Sequence, residues 1–265
     1  MNAPVKIRNG NCLELFRSVA DNSVDLILAD QPFGTTHSEW DEIIPQQLLW
    51  QEIRRVMRKD RAVLMFAQEM FAAEMMVSFK EHYRFKYIWE KNRVSNHHSA
   101  KKRALRNFEE ILVFSTGSLP YFPQKTYGHK PKNYAVKKAN STNVYSQSKE
   151  VVTHAGDTSR YPKSIIAFDC VDNDSKGRIH SNQKPIELLQ YLIRSHSEPG
   201  DTVLDFCMGS GSCGIASIVE KRNFIGFEKN TAIYKLAEEW LSKFDMESHR
   251  RQLPDLTNSP LFLLH

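Results

Sequence analysis

At 265 residues, 41% hydrophobic and 25% charged, the chain has room for one large α/β domain or one domain with a modest insertion. No stretch approaches the ~18 consecutive apolar residues of a membrane span, and the first residues lack the apolar centre of a signal peptide. Four cysteines without paired spacing argue against a disulfide framework or a metal site, and point to the reducing cytoplasm.

The net charge of +5 is unevenly placed. Residues 84–138 carry thirteen Lys or Arg and three Glu, so the remainder is slightly acidic. A basic segment in an acidic background suggests a surface facing a polyanion.

In chain order, the apolar run over Val24–Ala29 predicts the first buried strand. It runs directly into Asp30-Gln31-Pro32-Phe33, which places a carboxylate at the carboxyl end of a strand, where open α/β sheets bind ligands. Pro32 fixes its own φ and biases Gln31 toward an extended conformation, so the Gln31 carbonyl has a defined direction. A carboxylate beside a directed carbonyl suits an aromatic amine. Two acceptors on its N–H groups draw the nitrogen toward tetrahedral geometry and stabilise the positive charge that develops when it is alkylated. Phe33 offers a face for stacking an extruded base.

Helical spacing follows over 46–57, then a strand over 62–66, a helix over 70–79, and strands over 85–89 and 111–114. Periodicity fades over 92–106, where Lys91, Arg93, Asn96, Lys101, Lys102, Arg103 and Arg106 combine phosphate-binding cations with an amide able to read base edges. It fades again over 120–179. There Lys125, His129, Lys130, Lys132, Lys137 and Lys138 interleave with Tyr121, Tyr127 and Tyr134, an arrangement that permits stacking on bases or sugars. A segment of that length without periodicity predicts a binding insertion or a lid. His97 and His98 have no further ligands at suitable spacing, so no metal is expected.

A helix over 185–196 and a strand over 202–205 lead into a glycine-rich turn. Gly209, Gly211 and Gly214 match G-x-G-x-x-G, and Glu228 closes the next strand over 223–227, before a helix over 231–244. A nicotinamide dinucleotide is one reading. Asp205 at the strand end argues against it, because a carboxylate suits an amino-bearing ligand better than a pyrophosphate. Too little chain follows the turn for the rest of a dinucleotide domain unless the strand order is permuted. A ligand with a ribose and an amino-acid tail fits.

These residues resemble the permuted β class of S-adenosylmethionine-dependent DNA amino-methyltransferases. Asp30-Gln31-Pro32-Phe33 is similar to their DPPY/DPPF signature, and residues 203–214 with 224–228 are similar to their cofactor site. Residues 180–189, His-Ser-Asn-Gln-Lys-Pro-Ile-Glu-Leu-Leu, resemble the HxxQKPxxL segment that opens the cofactor-binding helix, and Gly10-Asn11-Cys12-Leu13 resembles a GDCL element.

The resemblance implies a doubly wound, mostly parallel seven-stranded α/β sheet of Rossmann-like type with an inserted DNA-recognition region. Residues 1–115 would form the catalytic half, 116–178 the insertion, 179–245 the cofactor-binding half and 246–265 a tail. Asp30, Gln31, Pro32 and Phe33 would be catalytic. S-adenosylmethionine would lie against Asn11, Cys12, Asp30, Gln183, Lys184 and Pro185. It would also lie against Asp205, Phe206, Met208, Gly209, Ser210, Gly211, Ser212, Glu228 and Lys229. Double-stranded DNA would be the partner, and many relatives form homodimers.

Asp30, where cytosine-N4 enzymes of this class usually carry serine, favours adenine N6. Cytosine N4 is the alternative. Gln31 replaces the signature's proline and Asn11 replaces an aspartate, which leaves a DNA-binding copy without turnover as a further reading.

Overall fold

The strand Val24–Ala29 is buried along its whole length on both faces, as a central strand of a covered parallel sheet must be. The computed structural model describes residues 4–34, 41–137, 151–171 and 183–245. Its elements are β1 (Val5–Asn9), α1 (Cys12–Leu15), β2 (Val24–Ala29), α2 (Gln46–Val56), β3 (Met57–Ala67), α3 (Glu69–Ser78), β4 (Tyr83–Ser95) and β5 (Arg106–Ser115). Next come β6 (Ala135–Lys137), β7 (Val151–Thr153), β8 (Ile165–Ala167) and α4 (Ile186–His196). The chain continues with β9 (Thr202–Asp205), α5 (Ser212–Val219), β10 (Asn223–Glu228) and α6 (Thr231–Lys243).

Eight strands form one sheet in the order β1-β10-β9-β2-β3-β5-β4-β8. The five strands from β1 to β3 are parallel, β5 runs antiparallel to both β3 and β4, and β8 pairs parallel with β4. Seven strands were expected, and the eighth is the short edge strand β8.

Side chains alternate between the sheet's two faces. Ile27, Ala29, Val63, Met65, Leu112 and Phe114 pack with Leu49, Trp50 and Ile53 of α2 and Phe71 and Met75 of α3. Leu26, Leu28, Leu64, Phe66, Ile111 and Val113 pack with Leu188, Leu189 and Leu192 of α4, Ala216 of α5 and Ala237 of α6. Helices thus cover both faces. Helix α2 buries Leu49, Trp50, Ile53 and Val56, the spacing of one helical stripe. Gly214 in α5 is required by packing, because a Cβ there would come within 2.8 Å of Leu241 and 2.9 Å of Phe224.

One polar side chain sits inside β2. Asp25 is 1% exposed, with Oδ1 accepting from Arg58 at 2.8 Å and lying 3.2 Å from Arg61. Its Oδ2 accepts from Thr202 N at 2.9 Å, which ties β2 to the start of β9.

The strands expected over 85–89 and 111–114 extend well beyond their apolar runs, to Ser95 in β4 and from Arg106 in β5. Residues 123–162 belong to a second compact unit, separate from the one that carries the large sheet. Within it β6 and β7 pair antiparallel, Thr126 bridges Arg160, and the Lys125 ammonium lies 4.5 Å from the Tyr161 ring centre. The tail over 246–265, residues 138–150 with Lys138, and residues 180–182 lie outside the described residues.

Candidate active site

Strand order fixes the site. From β9 the chain moves through α5 to β10 on one side, and from β2 it moves through α2 to β3 on the other. The point between β9 and β2 is therefore where the sheet's winding reverses, and open α/β sheets bind ligands in a crevice at the carboxyl ends of the strands at such a point. Asp205 closes β9 and Asp30 follows β2, so the two carboxylates flank that point. On the far side of β9, Asn9 of β1 is in register with Glu228 of β10.

Asp205 is buried and accepts from Cys207 N at 3.0 Å. Burial pushes its pKa up to about 8, against the pull of the Cys207 N–H and with help from the charges of Asp30 and Glu228. A carboxyl held in that state gains from a cation placed beside it. Gly209, at φ +51, has open space where a side chain would stand, so a ligand can approach the backbone. Glu228 accepts from Gly209 N at 3.0 Å and from Asn230 N at 2.7 Å.

Gly211, also at positive φ, caps α5, whose first residue, Ser212, is buried, as is Ser210. Phe206 packs against Phe16 at 5.9 Å, and Met208 donates its N–H to Phe227 O. The sequence-derived cofactor residues at this turn therefore come together. Lys229, next to Glu228, is 69% exposed and paired with Glu42 at 3.3 Å. Asn11 caps α1, its Oδ1 accepting from Leu13 N at 3.0 Å, and Cys12 is buried in that helix's first turn.

The turn after β2 is held from two sides. The Gln31 side chain is buried, its Nε2 donating to Met65 Sδ and Met75 Sδ and its Oε1 accepting from Gln46. Phe33 N and Gly34 N both donate to Asp41 Oδ1 at 2.9 Å. Asp41 has no sequence signature, because nothing in its local pattern marks it as the turn's anchor. The Phe33 ring, partly exposed, leans on Phe71 at 5.4 Å.

Lys184 precedes α4, next to Gln183 and the N-cap Pro185. Its Nζ lies 2.5 Å from Asp30 Oδ2 and 3.4 Å from Glu109 Oε2. Asp30 Oδ1 is buried and has no hydrogen-bond partner among the described residues. Burial raises the Asp30 pKa, Lys184 opposes the rise and Glu109 adds to it. Burial works against the Lys184 ammonium, but Asp30 and Glu109 outweigh it and hold its pKa above the ordinary value. Glu109 likewise has no sequence signature, since it sits in a strand pattern with no motif around it.

Residues 24–239 match the N6/N4 methyltransferase family, described as DNA methylase. The chain belongs to that family. It is 25% identical over 261 residues to the type II methyltransferase M1.MboII of Moraxella bovis, covering 91% of this chain and 98% of the relative. It is 25% identical over 266 residues to the DNA adenine methyltransferase YhdJ of Escherichia coli (strain K12), covering 94% and 85%. In fold it is similar to the crystal structure of the M1.HpyAVI–SAM complex, with a TM-score of 0.58 at 18% identity, covering 89% and 98%.

In this DNA methylase the cations expected to face DNA differ in exposure and surroundings. Lys101 and Lys102 are exposed on the turn between β4 and β5, and Lys130 is exposed in the second unit. Arg93 is exposed beyond the middle of β4, and Asn96 follows that strand in a left-handed conformation. Four of the expected DNA-facing cations are seen paired with protein carboxylates. Arg103 and Arg106 pair with Glu69 at 3.3 and 3.1 Å, and Lys132 pairs with Asp157 at 2.7 Å. Lys91 turns inward to Glu109, with its ammonium 4.7 Å from the Trp89 ring centre, rather than outward to a phosphate.

Proposed function

We propose that this DNA methylase transfers a methyl group from S-adenosylmethionine to N6 of an adenine extruded from double-stranded DNA. The observation that carries the reading is the pair of carboxylates, Asp205 and Asp30, at the ends of adjacent parallel strands on either side of the switch point. The residues fit the cofactor: the raised, buried Asp205 suits an α-ammonium, Glu228 suits ribose hydroxyls, and the open space over Gly209 admits the chain of the amino acid.

Bound there, the cofactor supplies a methyl group on a sulfonium sulfur, which the amine takes as the C–S bond breaks and its electron pair returns to sulfur. Asp30 Oδ1 and the Gln31 carbonyl accept the two amino N–H groups, which localises the nitrogen lone pair and stabilises the positive charge that forms on it. Phe33 stacks on the extruded base. Asp30 then takes the proton that the methylated nitrogen releases and passes it to water. Burial of the Gln31 side chain and the grip of Asp41 supply rigidity that the missing proline would have given, which supports turnover over an inactive copy.

Asp30 supports adenine over cytosine, and the adenine-specific relative agrees with it. The exposed Lys101, Lys102 and Lys130, together with Asn96, support a DNA-facing role for residues 91–106 and 116–178. Action in the cytoplasm and a homodimeric state belong to the same reading, and mass in solution tests the latter.

The deciding experiment is transfer of labelled methyl groups to unmethylated genomic DNA, followed by digestion to nucleosides. N6-methyladenine is expected, and Asp30→Ala abolishes its formation while cofactor binding persists. N4-methylcytosine as the product would replace adenine with cytosine. Transfer by Asp30→Ala at the parent's rate would remove Asp30 from the chemistry.

A further inference from the structure

Asp30, Lys184, Glu109 and Lys91 form a chain of alternating charges contributed by the end of β2, the approach to α4, and strands β5 and β4. Two features of this chain are unusual. Lys184 lies between two carboxylates at unequal distances, 2.5 Å from Asp30 and 3.4 Å from Glu109. The Glu109 oxygen on that side, Oε2, is buried and accepts no well-formed hydrogen bond among the described residues, whereas Oε1 is held by Lys91. An unfilled acceptor beside a shared cation is costly unless it is used.

The Lys184 ammonium also lies 4.8 Å from the Phe66 ring centre, and the Lys91 ammonium lies near the Trp89 ring. Phe66 and Trp89 meet edge to face at 6.4 Å. The two cations thus rest on adjoining aromatic faces, and Lys184 can tilt from one carboxylate to the other without leaving its own.

An ammonium on Asp30 works against the chemistry. It neutralises the carboxylate charge, weakening it as an acceptor for the target amine. It also sets a positive charge next to the nitrogen that becomes positive as the methyl arrives. We propose that Glu109 is a positioning residue for methyl transfer: it draws Lys184 off Asp30 when Asp30 engages the target amino group, and Lys91 keeps Glu109 in place to do so. The inference rests on the catalytic role of Asp30 proposed above.

The charged groups facing Asp30 are Lys184, Glu109, Lys91 and, across the switch point, Asp205. Glu109 raises the Asp30 pKa and Lys184 lowers it, so their removal shifts the acid limb of the rate profile in opposite directions. The experiment is single-turnover methyl transfer to unmethylated genomic DNA between pH 5.5 and 9, using the parent, Glu109→Gln, Lys184→Met and the double variant.

Glu109→Gln is expected to lower the plateau rate about tenfold or more, with its acid limb at lower pH and cofactor affinity unchanged. Lys184→Met is expected to move the limb to higher pH. In the Lys184→Met background the plateau loss from Glu109→Gln is expected to shrink to about threefold or less, because no cation is left to draw away. A Glu109→Gln protein that matches the parent in plateau and limb overturns the inference, as does a loss that persists undiminished in the double variant. If the parent transfers no methyl group, the methyltransferase reading itself falls, which is a different result from a parent that works and a variant that works equally well.

Discussion

Gly209 donates its backbone N–H to Glu228 Oε2 over 3.0 Å, so a carboxylate at the end of β10 fastens the glycine turn that follows β9. The other oxygen of Glu228 accepts from Asn230 N, which fixes the carboxylate itself at the start of α6. Glu228→Ala is therefore expected to loosen the turn and weaken S-adenosylmethionine binding by about tenfold or more, while the fold survives. Calorimetric titration measures this, and an unchanged affinity would show that the turn holds its shape without Glu228.

Asp41 makes a separable contribution. It accepts from two successive N–H groups of the turn after β2 and belongs to no expected motif. Asp41→Ala is expected to lower the single-turnover rate roughly tenfold to a hundredfold through misplacement of Asp30 and Phe33, with cofactor affinity little changed. Equal losses in rate and cofactor binding would instead mean that the whole crevice had collapsed.

His196 sets a dependence of stability on pH. It is fully buried at the end of α4, with Nδ1 donating to Pro120 O and Nε2 accepting from the Tyr87 hydroxyl, each at 3.1 Å. Burial lowers its pKa to about 4, with the Pro120 contact opposing. Between that value and the ordinary ~6.5, the unfolded chain binds a proton that the folded chain refuses. The stability from this group is thus complete above about pH 6.5 and is lost as pH falls toward 4, a total of about 3 kcal/mol. The thermal midpoint is expected to drop roughly 5–10 °C across that window from His196 alone, and His196→Gln is expected to flatten the slope. An equally steep slope in the variant would assign the dependence to other groups.

Lys101 and Lys102 are expected to act through phosphates. The double change to alanine should weaken binding to all DNA sequences alike and reduce the slope of log affinity against log salt by about two, as loss of two phosphate contacts requires. A variant with the parent's salt slope would place these lysines off the DNA.

Residues with local causes could be read from the sequence. Val24–Ala29, Asp25 apart, and Val203–Leu204 are apolar because both faces of a covered parallel sheet are dry, and the ends of these strands name Asp30 and Asp205. Positive φ at Gly209 and Gly211 is a property of the turn itself, and glycine reports it directly. The edge strands β1 and β8 have no legible signal: β1 has no buried residue and alternates apolar with charged residues, and β8 is apolar but only three residues long with Ile166 alone buried.

The fates of the charged residues were decided by tertiary structure. Lys91, Arg106 and Lys132 have the composition of a DNA-facing surface, yet each is paired with a carboxylate brought near by folding. Lys184 meets Asp30 and Glu109 only because the approach to α4 and strands β2 and β5 converge. Side-chain periodicity records which face of an element is dry, and that is settled within a few residues. An ion pair depends on which elements become neighbours, and no window along the chain contains that.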